Sequence, residues 1–307
     1  MPFGSRISSD TQRASVENLH WCRRIGLVGN YVDEPSLERW NLSDLTGRWV
    51  PEARGDRLDL ALDAITVATV IEGYFDGPIG RTPEKIPQII DPLLKILQCD
   101  LPVGRDPLLQ AFWSVWQRTI IGRSGEWKRR AANNWTGYLH AFQAEAEIRV
   151  SGQVQTYDAF LDLRRHSGCV YPMLDLIEAS YDFEVSPETY SSLVLQDMMR
   201  IVADVVDTMN DLHSVDKEAE CGDPHNLVLI LEQQEGISRT EAAAAVQSML
   251  KSWCEDFIEC EKRLEDGIDD AADYFLTGEK VNIRRFVAGM RDCMGGHPDW
   301  YRVTKRY

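Results

Sequence analysis

Apolar residues recur at helical spacing along nearly the whole chain, and that periodicity limits the fold more than any other feature. Within residues 186–213, Leu193, Val194, Met198, Ile201, Val202, Val205 and Met209 follow a 3.6-residue repeat. Ser186 before Pro187 and Glu188 marks a helix start. Residues 238–265 keep the same period with a helix former at most positions, and 59–75, 105–121 and 125–149 also read as helices. Alternating strand patterns are short and rare. Helices without a sheet must bury their apolar stripes on one another, so the pattern predicts an all-α fold.

The glycine and proline punctuation, at Gly77-Pro78, Gly222-Asp223-Pro224 and Gly295-Gly296-His297-Pro298, separates helices and fences off no linker. The 307 residues show no composition shift, low-complexity stretch or internal repeat, and 44% of them are hydrophobic. That suits a single domain of ten or so helices. We expect residues 1–15 to form a flexible N-terminus and 16–307 a single-domain helical bundle. Such a bundle can hold a pocket between its helices. Nine Trp, ten Tyr and nine Phe are enough to line one.

Charge and cysteine usage exclude several function classes. Acidic residues outnumber basic ones, 49 against 33, for a formal net charge of -16. Such a field repels a nucleic-acid backbone and an anionic membrane surface. A small anionic substrate stays open, because a bound metal inverts the local potential. The seven cysteines are scattered with no CxxC pair, which speaks for reduced thiols and against a zinc ribbon. The N-terminal MPFGSRISSDTQRAS lacks the apolar stretch of a signal peptide, and no apolar run approaches the roughly 20 residues of a membrane span. The expected location is cytoplasmic, with no membrane anchor.

The segment Asn210-Asp211-Leu212-His213-Ser214-Val215-Asp216-Lys217-Glu218 carries the most chemistry. Asn210, Ser214 and Glu218 stand at i, i+4 and i+8 and project from one helix face. An amide oxygen, a hydroxyl and a carboxylate are hard ligands that suit Mg²⁺ and not zinc. Lys217 stands beside the last of them, within reach of an anion bound to that metal. The plain alternative is a polar face at the end of a long helix. The whole stretch, however, resembles the second metal-binding motif of class I terpene synthases, particularly the bacterial terpene cyclases. The following GDPHNLVLILEQQEGISRTEAAAAV is similar to the segment after that motif in bacterial members.

Three further segments extend the resemblance from about Trp21 to Tyr307. Phe160-Leu161-Asp162-Leu163-Arg164-Arg165-His166-Ser167-Gly168 resembles the family segment carrying a diphosphate-sensing arginine before a helix break. By position Arg164 is then the sensor, Ser167 the linker and Gly168 the residue whose carbonyl faces the substrate, with Arg165 the alternative sensor. A guanidinium fork binds phosphate oxygens bidentately, which suits that role. The chain end, Trp300 to Tyr307, is similar to the family's closing segment, and implies that Arg306 and Tyr307 bind the diphosphate. The segment Ile71-Glu72-Gly73-Tyr74-Phe75-Asp76-Gly77-Pro78-Ile79-Gly80-Arg81 resembles the first metal motif, Asp-Asp-x-x-Asp, with altered residues. Asp76 takes the last position, Glu72 replaces the first aspartate and Gly73 the second. Glu72 and Asp76 still point together from one helix face. Glycine inside a helix costs about 1 kcal/mol against alanine, so Gly73 is expected to serve pocket shape or close packing.

The resemblance implies a single-domain helical bundle with a central active-site cavity. It also implies a lyase that uses three Mg²⁺ ions held by Asp76, Glu72, Asn210, Ser214 and Glu218. Arg164, Lys217, Arg306 and Tyr307 would add donors to the diphosphate of a prenyl diphosphate, stabilising the charge that develops on the leaving group. The carbocation left behind needs a dry pocket with aromatic faces. Tyr74, Phe75, Phe112, Trp113 and Trp116 are the candidates for that lining. Farnesyl diphosphate is the favoured substrate, followed by geranylgeranyl or a bicyclic diterpenyl diphosphate. The alternatives are an enzyme of the same fold giving an acyclic alcohol or a prenylated acceptor, and a non-catalytic diphosphate-binding protein. Family members also suggest a homodimer.

Overall fold

A computed structural model describes residues 1–99, 104–153, 155–270 and 277–306. In chain order its α-helices are α1 (Thr11–Ile25), α2 (Glu34–Trp40), α3 (Leu42–Trp49), α4 (Asp56–Phe75), α5 (Ile86–Leu97), α6 (Pro107–Thr119) and α7 (Gly125–Ser151). They continue as α8 (Tyr157–Ser167), α9 (Val170–Tyr181), α10 (Pro187–Tyr190), α11 (Leu193–Cys221), α12 (Leu227–Glu235), α13 (Arg239–Asp270) and α14 (Thr277–Tyr301). Two short 3-10 turns, Pro78–Arg81 and Pro83–Lys85, follow α4. Among the described residues there is no strand, and the all-α class holds. No described helix is long and apolar enough to cross a membrane.

Two helices are wrapped on several sides and define the interior. α4 is apolar around most of its circumference, which suits a helix enclosed by α1, α3, α6 and α9. α11 packs against α8, α9, α12, α13 and α14, yet it buries Asp204, Asp207, Asp211 and Ser214 along one side. A buried carboxylate is costly unless it is paired. Asp204 pairs with Arg165 at 2.6 Å and Asp211 with Arg164 at 2.9 Å. This polar seam locates the site.

Several expected boundaries change for local reasons. The helix expected over 186–213 is two: Ser186 caps α10, whose end is turned by Ser191 Oγ and Ser192 Oγ bonding back to the Pro187 and Thr189 carbonyls at 2.8 and 2.7 Å. α11 then restarts and runs to Cys221, where Gly222 at φ 66° turns the chain. The second metal motif therefore lies inside a helix. Gly295-Gly296-His297-Pro298 lies within α14 and does not end it. Its glycines serve packing, since a Cβ on Gly295 would overlap the Gly4 carbonyl and one on Gly296 would crowd Arg48 Cβ at 2.5 Å. The expected flexible N-terminus is packed onto the bundle. Phe3 and Ser8 are buried, Arg6 pairs with Asp292 at 2.7 Å, and residue 15 falls inside α1.

Candidate active site

The polar seam of α11 faces two adjoining hollows that share Glu72, Arg164, Ser167, Asn210 and Arg306 as a common wall. The inner hollow is largely apolar, with Leu45, Ile65, Ala68, Met173 and Val206 among its walls. The outer one is charged, with Asp76, Arg149, Lys217 and Glu218.

α4 supplies the first acidic pair. Glu72 and Asp76 stand one turn apart, and both face the outer hollow. Desolvation, and next the charge of Glu72, push the Asp76 carboxyl up to about 6. Desolvation alone would raise Glu72 too, but the Arg306 guanidinium 2.7 Å away holds it below its ordinary value. Gly73 is exposed, and a Cβ there would meet nothing within 4 Å. Close packing among the described residues therefore does not require glycine at this position.

α11 supplies the second set. Asn210, Lys217 and Glu218 line the outer hollow, while Ser214 Oγ donates to the Asn210 carbonyl at 2.9 Å. Asn226, the cap of α12, donates through Nδ2 to Glu218 Oε2 at 2.7 Å and to the Asp211 carbonyl at 2.8 Å, tying both ends of the motif together. Burial, then the charge of Asp211, push the Glu218 carboxyl up to about 7. Lys217 Nζ reaches across to Asp76 Oδ2 at 3.9 Å.

The two candidate sensors part company. Arg164 lines both hollows and donates to Asp211 Oδ1 and Asn210 Oδ1, each at 2.9 Å. Arg165 faces Asp204 and Asp162 instead and lines neither hollow. Ser167 lines both and Gly168 the inner one, and the left-handed residue between α8 and α9 is Cys169 at φ 62°. The tail is pinned to α2: Trp300 Nε1 donates to the Trp40 and Asn41 carbonyls at 3.0 and 3.1 Å. Thr304 Oγ1 donates to the Trp40 carbonyl at 2.9 Å and Lys305 N to the Arg39 carbonyl at 2.8 Å. Arg306 then enters both hollows, whereas Tyr307 lies outside the described residues.

The expected aromatic lining is corrected. Tyr74 and Trp113 are exposed on the surface. Phe75 stacks on Phe142 with ring centroids 4.3 Å apart, and Phe112 meets the Trp135 edge at 5.0 Å, so both belong to the core, as does buried Trp116. With Glu72 and Asp76 turned to the cavity, the intervening Tyr74 is carried to the far side of α4. The aromatics that do line the inner hollow are Trp49, Tyr138 and Trp300, joined by His297.

Sequence reasoning also missed Glu145, Arg149, Asp223 and His225, a polar group in the outer hollow of which Glu145 and His225 are buried. Arg149 binds Asp223 at 2.7 Å and Glu145 at 3.2 Å. The Gly-Asp-Pro-His-Asn run after α11 was the available signal for two of them.

A family profile described as "Terpene synthase family 2, C-terminal metal binding" matches residues 63–256, a span that includes both acidic motifs. The chain belongs to the terpene synthase family. This terpene synthase is 32% identical over 314 residues to a pentalenene synthase of Streptomyces avermitilis, with 100% of this chain and 91% of that protein covered. It is 28% identical over 313 residues to a farnesyl-diphosphate-cyclizing (-)-beta-caryophyllene synthase of Saccharothrix espanaensis, covering 100% of this chain and 87% of that one. Among solved structures, the germacradien-4-ol synthase of Streptomyces citricolor superimposes with a TM-score of 0.88 at 26% identity, covering 98% and 96% of the two chains. The chain is thus a terpene synthase, a lyase, with the all-α architecture of its class.

The donor set fits a hard cation. Among the described residues no three His, Cys, Asp or Glu side chains already converge as a metal site. The candidate donors stand instead on two facing helices and include an amide and a hydroxyl. Glu218 and Asp76 are carboxyls whose charged forms are disfavoured where they sit. A divalent cation between α4 and α11 would relieve both, and all five donor atoms are oxygens, as Mg²⁺ prefers.

Proposed function

We propose that this terpene synthase ionises a prenyl diphosphate, with farnesyl diphosphate the favoured substrate, and cyclises the resulting carbocation with loss of diphosphate. The observation that carries this reading is the pairing of a charged outer hollow with an apolar inner one across a wall formed by Glu72, Arg164, Ser167, Asn210 and Arg306. A diphosphate suits the first and a hydrocarbon chain the second. Farnesyl diphosphate is preferred because a relative aligned over this whole chain is named for cyclising it.

Asp76 and Glu72 on one side, and Asn210, Ser214 and Glu218 on the other, would hold Mg²⁺, three ions in all. When bound, Mg²⁺ supplies positive charge to the leaving group. Arg164, Lys217 and Arg306 direct guanidinium and ammonium donors at the same oxygens, and Tyr307 would add its hydroxyl. Arg164 starts this work already oriented by Asp211, so little reorganisation is needed as charge develops. The apolar walls keep water from the cation. Trp49, Tyr138 and Trp300 present aromatic rings to it.

The test is diphosphate release from the purified chain with C10, C15 and C20 prenyl diphosphates, each with Mg²⁺ or with EDTA. Organic extracts are read by gas chromatography. Mg²⁺-dependent release with a cyclic product from the C15 substrate is expected. Release with EDTA present, or acyclic products alone, would sink this reading, and a C20 preference would move the substrate assignment.

A further inference from the structure

Asp207 lies on α11 one turn before Asn210, on the wall of the inner hollow, and is 3% exposed. Its Oδ2 is buried with no hydrogen-bond partner among the described residues. The backbone carbonyl of Asp207, not its carboxylate, takes the long 3.5 Å contact from Arg164 Nη2. Asp204 and Asp211, one turn to either side, each own an arginine. A buried carboxyl left unsatisfied costs on the order of 1–3 kcal/mol, so it calls for a reason other than stability.

Gly168 gives an independent indication. Its φ of -74° and ψ of -2° are open to any residue, so the backbone does not require glycine. The Asp207 carboxylate does require it: a Cβ on Gly168 would overlap both carboxylate oxygens. The helix break is shaped to admit this one side chain to the cavity wall.

We propose that Asp207 is a catalytic proton relay, giving its proton to a double bond of a neutral cyclised intermediate and then taking back the proton shed in the final step. In the first transfer the O–H bond breaks, a C–H bond forms from the alkene π pair, and the adjacent carbon becomes cationic. In the second a C–H bond breaks, its electron pair closes the product double bond, and the O–H bond re-forms. The neutral intermediate forms when the first cyclised cation loses a proton to the departed diphosphate, which keeps it. Asp207 therefore ends in the state in which it began, and the one proton lost overall leaves with the diphosphate. The inference rests on the ionisation reading above.

The surroundings support this direction of transfer. Desolvation pushes the Asp207 carboxyl well above its ordinary range, reinforced by Asp211, Asp204 and Glu72 and opposed by Arg164. It starts as an acid. Beside Leu45, Ile65, Ala68, Met173 and Val206, the basic sites a prenyl chain offers are its double bonds. His297 in the same wall cannot substitute. Its Nδ1 accepts from Trp49 Nε1 at 3.2 Å, and burial pushes its imidazole down to about 3, so it stays neutral.

The experiment runs the purified chain with Mg²⁺ in D2O, using whichever of the three prenyl diphosphates releases diphosphate, and measures release in the same tube. The relay predicts one carbon-bound deuterium, a gain of a single mass unit against the product made in H2O. Asp207→Asn should lose that label and accumulate a less cyclised olefin. Where that variant does not fold, Gly168→Ala, which displaces the carboxylate, carries the same expectation. Release with an unlabelled wild-type product overturns the relay, as does a label that survives in either variant. Absence of release would refute the ionisation reading instead.

Discussion

Arg306 Nη2 sits 2.7 Å from Glu72 Oε2, so the last described residue closes onto the helix that carries the first acidic motif. The residue at the altered first position of the motif is thus the one that pairs with the tail. Arg306→Ala should lower kcat/KM for diphosphate release at least about 10-fold, equivalent to about 1.4 kcal/mol, with little change in melting temperature. A pyrophosphatase-coupled assay beside a thermal melt checks both. Unchanged kcat/KM would remove Arg306 from the diphosphate site.

Arg164 and Arg165 are adjacent, yet they should fail differently. Arg164→Lys keeps the charge but loses the fork that meets Asp211 and Asn210, and should slow release about 100-fold. Arg165→Ala should stay within a few-fold in rate while costing about 3 kcal/mol of stability, because buried Asp204 loses its close partner. Urea titration and single-turnover kinetics on both variants would separate the roles. A rate collapse in Arg165→Ala would reverse the assignment.

Two glycines should respond with opposite signs. A Cβ at Gly73 meets nothing within 4 Å, so Gly73→Ala should stabilise the protein by about 0.5–1 kcal/mol. Gly168→Ala collides with the Asp207 carboxylate and should destabilise it by about 1–3 kcal/mol. Paired denaturant midpoints are the measurement, and a stable Gly168→Ala protein would mean that the carboxylate moves freely.

His297 makes a pH prediction. Burial, then His213 nearby, hold its folded imidazole at about 3, against about 6.5 when unfolded. Between those values the unfolded chain binds a proton that the folded chain refuses. Stability from this residue is therefore complete above about 6.5 and falls by about 1.4 kcal/mol per pH unit as pH drops toward 3. His297→Gln removes the titration, so the stability gap between wild type and variant should narrow from pH 7 to pH 5. A gap that stays constant would show that the folded imidazole takes up its proton as readily as the unfolded one.

The helical class and the shared face of Asn210, Ser214 and Glu218 were legible because periodicity reports which residues lie on one side of a helix. It does not report what that side meets. Tyr74 and Trp113 looked suitable for a cavity and turned out to face solvent, while Phe75 was taken into a stack with Phe142. Asp207 reads in sequence like any exposed polar residue, because only the packing of α8 and α9 against α11 encloses it. The Ser191-Ser192 break was hidden for a related reason: hydroxyls that turn a chain are also tolerated inside helices.

The anchoring of the tail on Trp40 and Asn41 carries one more consequence. From Lys305, fixed at the Arg39 carbonyl, Arg306 is the next residue, so its backbone lies only about 4 Å from the fixed point. A leash that short permits swivelling and forbids wandering. The fixed point belongs to α2, a helix of seven residues on the outside of the molecule. Whatever loosens that outer corner, such as heat or a changed turn at Asn41, lengthens the leash and weakens the hold of Arg306 on Glu72 from a distance.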